Sequence, residues 1–240
     1  MSIHTNLKPL AWDSQFFGLS TARLDFSSAA PVVTAVDLDQ YALVQAKVAA
    51  QQTATLDELS ALGFSLVEGE VDLQLAIEAG KIRISATSLM TAKQQDIPVL
   101  QGVAARVFTA SRFRAPWYQA DDSGRFYAAW VEKAVLGTFD HECLLINNEH
   151  DQIAGFVTLR DMGCSEARIG LLAAVPGHHH QGIGDKLMSA AQQWCQNHQI
   201  QRLRVATQIS NTTALRLYTR RGAMIESTAY WLYRGRNDSI

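Results

Sequence analysis

The segment Val175-Pro176-Gly177-His178-His179-His180-Gln181-Gly182-Ile183-Gly184-Asp185-Lys186-Leu187 sets a glycine-containing turn after an apolar run, Ile169 to Val175. Beyond the turn, Ile183, Leu187, Ala190, Ala191 and Trp194 recur at helical spacing. A strand that feeds such a turn into a helix start makes an anion site. The first helical N–H groups lack intrahelical partners and carry the positive end of the dipole. Gly182 and Gly184 have no Cβ, so a phosphate can approach the backbone. The chemistry suggested is binding of a pyrophosphate-bearing cofactor; the alternative is that the glycines serve helix packing. The spacing fits neither G-x-G-x-x-G nor G-x-x-x-x-G-K-[ST]. The run His178-His179-His180 does not read as a metal site. Adjacent residues in an extended loop point in different directions, and no nearby acid or cysteine completes a tetrahedral set.

With 240 residues, the chain is long enough for one large domain or two small ones. The net charge of -2 gives no global pull toward nucleic acid or a membrane, so an anion site must be local. Cys143, Cys164 and Cys195 are widely spaced without a C-x-x-C, which suits a reducing compartment. No apolar stretch approaches a membrane span, and Met1 to Lys8 lacks a signal-peptide core. The expected location is the cytoplasm.

The elements that must position the turn read in order. A helical stretch is expected over about Asp37 to Gln52, and a short helix from Leu56 to a C-cap at Gly63. Phe64 to Ile77 alternates as a strand, with Val67, Val71, Leu73 and Leu75 on one face and Glu68, Glu70 and Asp72 on the other. Residues 78–82 read as a link, dividing a smaller N-terminal α/β unit (1–80) from a second domain (81–240). That domain starts with a strand near Ile82 to Ala86, then a helix capped by Asp96 and another from about Ser123 to Leu136. Three strands follow as a meander: Cys143 to Ile146, Ile153 to Leu159 and Arg168 to Val175. After the turn and its helix come a strand, Leu203 to Thr207, a short helix capped by Asn211, and a last strand, Met224 to Arg234. The order predicts an α/β protein with a mixed sheet, not a doubly wound one.

This order and two motifs resemble the GNAT superfamily of N-acetyltransferases, whose phosphate turn reads [QR]-x-x-G-x-[GA]. Gly182 and Gly184 match it, while His179 stands where the family has Gln or Arg. The second motif is Asn211-Thr212-Thr213-Ala214-Leu215-Arg216-Leu217-Tyr218. The resemblance implies acetyl-CoA as co-substrate. Its expected contacts are Leu172, Ala173, Ala174, Val175, His179, His180, Gln181, Gly182, Ile183, Gly184, Asn211 and Ala214. A closer resemblance runs through Leu62 to Leu73, Ser111 to Tyr118, Gly137 to His141, Arg204 to Gln208 and Glu226 to Arg234. It is to family members that acetylate dTDP-4-amino-4,6-dideoxy-D-galactose in enterobacterial common antigen synthesis. It implies a dTDP-amino sugar substrate, and a homodimer is plausible for the family. The alternatives are acetylation of another amine, such as a protein N-terminus, or a non-catalytic acetyl-CoA-binding domain.

For acetyl transfer to an amine, a proton must leave the amine and a donor must meet the departing thiolate. A thiol pKa of about 8.5 and a phenol pKa of about 10 are close enough for tyrosine to serve as the acid. Tyr218, about two helical turns after Asn211, is the expected acid; its other reading is a core tyrosine bonded to a carbonyl. Glu68 is the expected base, against the reading of a solvated acidic strand face; His141 is a weaker candidate. Backbone N–H groups along Leu171 to Ala174 are the expected oxyanion donors. Arg112, Arg114, Trp117, Tyr118 and Tyr127, with Arg125 and Phe126, form a basic and aromatic cluster. Guanidinium groups bind diphosphate and rings stack on thymine, so the cluster fits a nucleotide-sugar acceptor; its other reading is a packed lid.

Overall fold

The computed structural model describes residues 3–78, 90–177 and 182–236. The first part holds β1 (Thr5–Pro9), α1 (Ala11–Phe17), β2 (Thr21–Phe26), α2 (Ala35–Leu38), β3 (Leu43–Ala49), α3 (Thr53–Ala61) and β4 (Ser65–Ala76). Then follow β5 (Met90–Thr91), α4 (Ile97–Val107), α5 (Asp122–Val135), β6 (Glu142–Asn147), β7 (Ile153–Gly163) and β8 (Glu166–Ala174). The last part is α6 (Ile183–Asn197), β9 (Arg202–Gln208), α7 (Thr212–Arg220) and β10 (Met224–Gly235). The strand expected near Ile82 to Ala86 and the histidine run lie outside the described residues.

The strands form one sheet, ordered β1-β2-β3-β10-β4-β9-β8-β7-β6-β5. It is mixed: β2–β3 and β8–β9 are parallel, and the other described pairs are antiparallel. The strands of 1–80 and 81–240 share this sheet, because the last strand, β10, fills the place between β3 and β4. Trp231 stands opposite Lys47 on one side and Glu68 on the other.

The stretch expected as a helix over Asp37 to Gln52 is instead the single turn of α2 followed by β3. Leu43, Val44, Gln45 and Ala46 are all buried, since β3 is covered on both faces. A run apolar on both faces has no alternation to separate strand from helix. Asp96 precedes α4 as expected, but its carboxylate accepts the Lys93 N–H at 2.8 Å and does not cap α4.

Two irregularities of the sheet shape the site. Val157 on β7 stands opposite Leu172, but Leu159 stands opposite Ile169, so Gly170 and Leu171 together face Thr158. This is a β-bulge, and one extra residue exchanges the faces of the strand. Before it, Ala167 and Ile169 enter the core beneath α6; after it, Leu172 and Ala174 pack there, while Leu171 and Ala173 turn toward α4 and α5. The second irregularity lies on the other edge of β8. Its pairing with β9 runs only from Glu166 and Arg202 to Ile169 and Val205, although β8 continues to Ala174 and β9 to Gln208. The two strands therefore part company at the bulge.

Helix α6 seats Ile183, Leu187, Ala190, Ala191 and Trp194 in the core, as their spacing predicts. It lies close to β7 at Gly155, where a Cβ would come within 2.6 Å of Ile183 Cγ2 and 2.8 Å of the Ala173 carbonyl. Its N-cap, Gly182, has φ of 68°, a left-handed conformation that favours glycine.

Candidate active site

Where β8 and β9 separate, a cavity of about 880 Å³ opens. Gly170, Leu171, Leu172 and Ala174 border it from β8, and Val205 to Gln208 from β9. The bare edge of β8 has a definite direction. Val175 N–H bonds the Ala154 carbonyl on β7 at 2.8 Å, and Leu171 N–H bonds Thr158 Oγ1 at 2.8 Å. By alternation, Leu172 and Ala174 turn their N–H groups the other way, toward the cleft. Of the donors expected along Leu171 to Ala174, these two are aimed into it. Ala173 is buried on the far face and Val175 packs toward α4 and α5, so neither side chain borders the cavity.

At one end of the cavity sit Gly182, Ile183, Gly184 and Asp185, the first turn of α6. Gly184 also meets the packing alternative, because a Cβ there would lie 3.0 Å from Leu217 Cδ2. The expected contacts His179, His180 and Gln181 lie outside the described residues. Asn211 and Ala214 border the cavity too. Asn211 Oδ1 accepts the Ala214 N–H at 3.1 Å and caps α7, as its position predicts. No hydrogen bond occupies its amide nitrogen among the described residues.

Tyr218 is buried and also borders the cavity. It packs in the core cluster beneath α6, and its hydroxyl makes no hydrogen bond with any described residue. Burial raises its pKa, which keeps the phenol protonated and widens its gap from a thiol. Glu68 and Glu70, from β4, face the same cavity. Burial raises the Glu68 pKa, against the lowering effect of its bond from Gly69 N–H and of the Arg114 charge. Burial also acts on Glu70, but Lys47 at 2.5 Å and Trp231 Nε1 at 2.9 Å outweigh it, and its pKa falls. His141 is elsewhere: its Nδ1 accepts the Asp161 N–H at 3.0 Å beside Trp194 and His198.

The basic and aromatic cluster divides. Arg112 and Tyr127 border the cavity; Arg114, Trp117 and Tyr118 do not. The Arg112 guanidinium lies 4.0 Å from the Trp231 ring centre and 4.3 Å from that of Phe113. It donates to Gln45 Oε1 at 3.1 Å and to the Tyr233 hydroxyl. Arg114 is exposed and donates to the carbonyls of Ala115 and Val67. Tyr118 is buried among Phe17, Phe113 and Tyr233, and its hydroxyl accepts from Gln45 at 2.9 Å. Trp117 sits edge-on to Tyr233 at 5.8 Å. These two rings belong to the packed-lid reading.

Several cavity residues escaped the sequence reading: Trp130, Asp140, Arg160 and Arg168. Asp140 is 1% exposed yet fully engaged. It accepts from Trp130 Nε1 at 2.7 Å, Thr158 Oγ1 at 2.6 Å and Arg160 Nη2 at 2.8 Å. Arg168 pairs with Asp72 at 3.0 Å. The available signal was Gly170, a glycine inside a strand pattern, which marks a bulge or a close approach. Among the described residues, no group of three His, Cys, Asp or Glu is placed to hold a metal, and no helix is long and apolar enough to cross a membrane.

A family model described as acetyltransferase (GNAT) family matches residues 105–223. The chain is 47% identical to a dTDP-fucosamine acetyltransferase of Escherichia coli O6:H1 over 234 residues, 98% of this chain and 100% of that protein. Among solved structures, the fold is similar to that of a functionally unknown conserved protein from Staphylococcus epidermidis. The TM-score is 0.64 and the identity 15%, covering 98% of this chain and 92% of that one. A GCN5-related N-acetyltransferase from Sphaerobacter thermophilus gives a TM-score of 0.59 at 14% identity, covering 81% of this chain and 60% of that one.

Proposed function

We propose that this chain, which belongs to the GNAT family of acetyltransferases, transfers acetyl from acetyl-CoA to the 4-amino group of dTDP-4-amino-4,6-dideoxy-D-galactose. The observation that carries the reading is the parting of β8 and β9 beside Tyr218 and Glu68, with the first turn of α6 at one end of the same cavity. The bare strand edge, the helix start and a phenol that bonds no described residue fit an acetyl thioester that carries a pyrophosphate. That co-substrate supplies an activated acyl group; what this chain supplies is placement, polarisation and proton management.

In this reading, the N–H groups of Ile183, Gly184 and Asp185 face the pyrophosphate with the dipole of α6 behind them. Ala174 offers its N–H group to the pantetheine chain, and Leu172 offers its own to negative charge developing on the carbonyl oxygen. The amide nitrogen of Asn211, which bonds no described residue, adds a donor. Glu68 takes the amine proton, directly or through water, and its raised pKa makes it a better base than an ordinary carboxylate. Tyr218 donates to the departing sulfur. Glu70, held ionised by Lys47 and Trp231, stays out of the proton transfer. Arg112, Arg160 and Arg168 bring three guanidinium groups to the cavity for the acceptor's diphosphate, and Tyr127 and Trp130 bring rings for its base.

The reaction belongs in the cytoplasm, where the three free thiols remain reduced, and in enterobacterial common antigen synthesis. Incubation with acetyl-CoA and the dTDP-4-amino sugar tests it. Proton NMR of the product should place the acetyl group on the sugar nitrogen; recovery of unchanged sugar would reject the assignment.

A further inference from the structure

We propose that Asp140 and Thr158 are positioning residues that hold the β8 bulge and so aim the Leu172 N–H into the cleft. The proposal rests on the acetyl-CoA reading above for its function, and on geometry alone for its existence.

Thr158 lies opposite the bulge and is fully buried. A hydroxyl has one proton to give, and Thr158 gives it to Asp140 Oδ2 at 2.6 Å. Its oxygen then accepts the Leu171 N–H at 2.8 Å. The Leu171 N–H thus has a side-chain acceptor at the bulge. This lets Gly170 and Leu171 share one partner. Asp140 is itself fixed by Trp130 and by Arg160, whose Nε and Nη2 both reach Oδ1, at 3.0 and 2.8 Å. The chain of bonds therefore runs from the Arg160 and Trp130 donors, through the carboxylate and the hydroxyl, to a backbone N–H.

Gly170 completes the device. A Cβ there would lie 2.3 Å from Asp140 Oδ2 and 2.7 Å from Thr158 Oγ1, so the carboxylate occupies the space beside the strand. The pairing of β8 with β9 ends at Ile169, one residue before this point. If the register of β7 and β8 ran on unbroken, Leu172 would present the edge now presented by Leu171, and its N–H would face β7. The bulge is what turns Leu172 toward the ligand, and Asp140 with Thr158 is what holds the bulge.

Thr158→Val keeps the side-chain shape and removes the hydroxyl, while Thr158→Ser keeps it. Two readouts apply. In the ligand-free protein, the Leu171 amide proton should shift upfield and exchange faster with solvent in Thr158→Val, and return toward the wild-type position in Thr158→Ser. In calorimetry, the wild type should bind a CoA thioether carrying a ketone carbonyl in place of the thioester more tightly than free CoA. That preference should fall roughly tenfold in Thr158→Val, the scale of one hydrogen bond, with the affinity for free CoA unchanged. Thr158→Ser should retain it. An unchanged Leu171 amide, or a ligand preference that survives in Thr158→Val, overturns the proposal. A wild-type protein that binds neither ligand contradicts the acetyl-CoA reading instead, and the Leu171 amide still decides whether the relay exists. Thr158→Ala, which adds no bulk, repeats the test where the valine variant does not fold.

Discussion

Glu68 and Glu70 stand two residues apart on the same face of β4, and their surroundings pull their carboxyls in opposite directions. Among the described residues, Glu68 gains the N–H of its neighbour, Gly69, at 3.1 Å, and the charge of Arg114. Glu70 gains Lys47 and the Trp231 indole. Two carboxylates with diverging pKa values in one cavity divide the labour: the raised one is the better proton acceptor, and the lowered one remains a fixed charge.

The pH dependence follows from the sign of that shift. A base must be ionised to act, so kcat should fall as pH drops through the raised pKa of Glu68. Glu68→Gln should lower kcat by roughly 10²–10⁴-fold and remove this acidic limb. Glu70→Gln should weaken the enzyme and leave the limb in place. Steady-state rates across the acidic range check both; a Glu68→Gln profile with the wild-type limb would take Glu68 out of the mechanism.

Tyr218→Phe should reduce kcat by about 10²-fold or more, in the usual range for a positioned acid. Because the hydroxyl bonds no described residue, the affinity for acetyl-CoA and the melting temperature should stay near wild type. Isothermal calorimetry, thermal unfolding and turnover on the same preparation separate these quantities.

The acceptor side can be mapped with dTDP alone. Arg112→Ala should weaken dTDP binding and also lower the melting temperature, since Arg112 holds Gln45 and Tyr233 and stacks on Trp231. Arg114→Ala should leave dTDP affinity near wild type, because Arg114 lies outside the cavity and bonds carbonyls. Titration calorimetry on the two variants checks the contrast.

Gly155→Ala should destabilise the fold by about 1–3 kcal/mol, the usual cost of overpacking. The added methyl would meet Ile183 and the Ala173 carbonyl, and a backbone atom cannot step aside as a side chain can. Chemical denaturation measures it.

What the sequence disclosed was governed by local rules. The Asn211 cap, the stripe on α6 and the alternation of β4 each depend on neighbours within a few residues. The parts it concealed depend on distant pairing. β3 looked helical because both its faces are covered, by partners that only the assembled sheet supplies. The insertion of β10 between β3 and β4 joins residues more than 150 positions apart, as Trp231 and Glu68 show. Tyr118 and Trp117 share their composition with a ligand platform, and only their packing against Tyr233 separates the two cases. Asp140, Thr158 and Gly170 meet across three segments, and no spacing rule marks a carboxylate as the prop of a bulge.

The most direct measurement is release of free CoA thiol when the purified protein receives acetyl-CoA with each of three acceptors: dTDP-4-amino-4,6-dideoxy-D-galactose, a UDP-amino sugar and a peptide with a free N-terminus. The expected result is rapid release with the dTDP-4-amino sugar, lost in Tyr218→Phe, slower release with the UDP-amino sugar, whose base lacks the thymine methyl, and a kcat/KM at least about 10²-fold lower with the peptide, which leaves the cavity's guanidinium groups and rings without their partners. Equal or faster release with the peptide or the UDP-amino sugar would contradict the proposed acceptor.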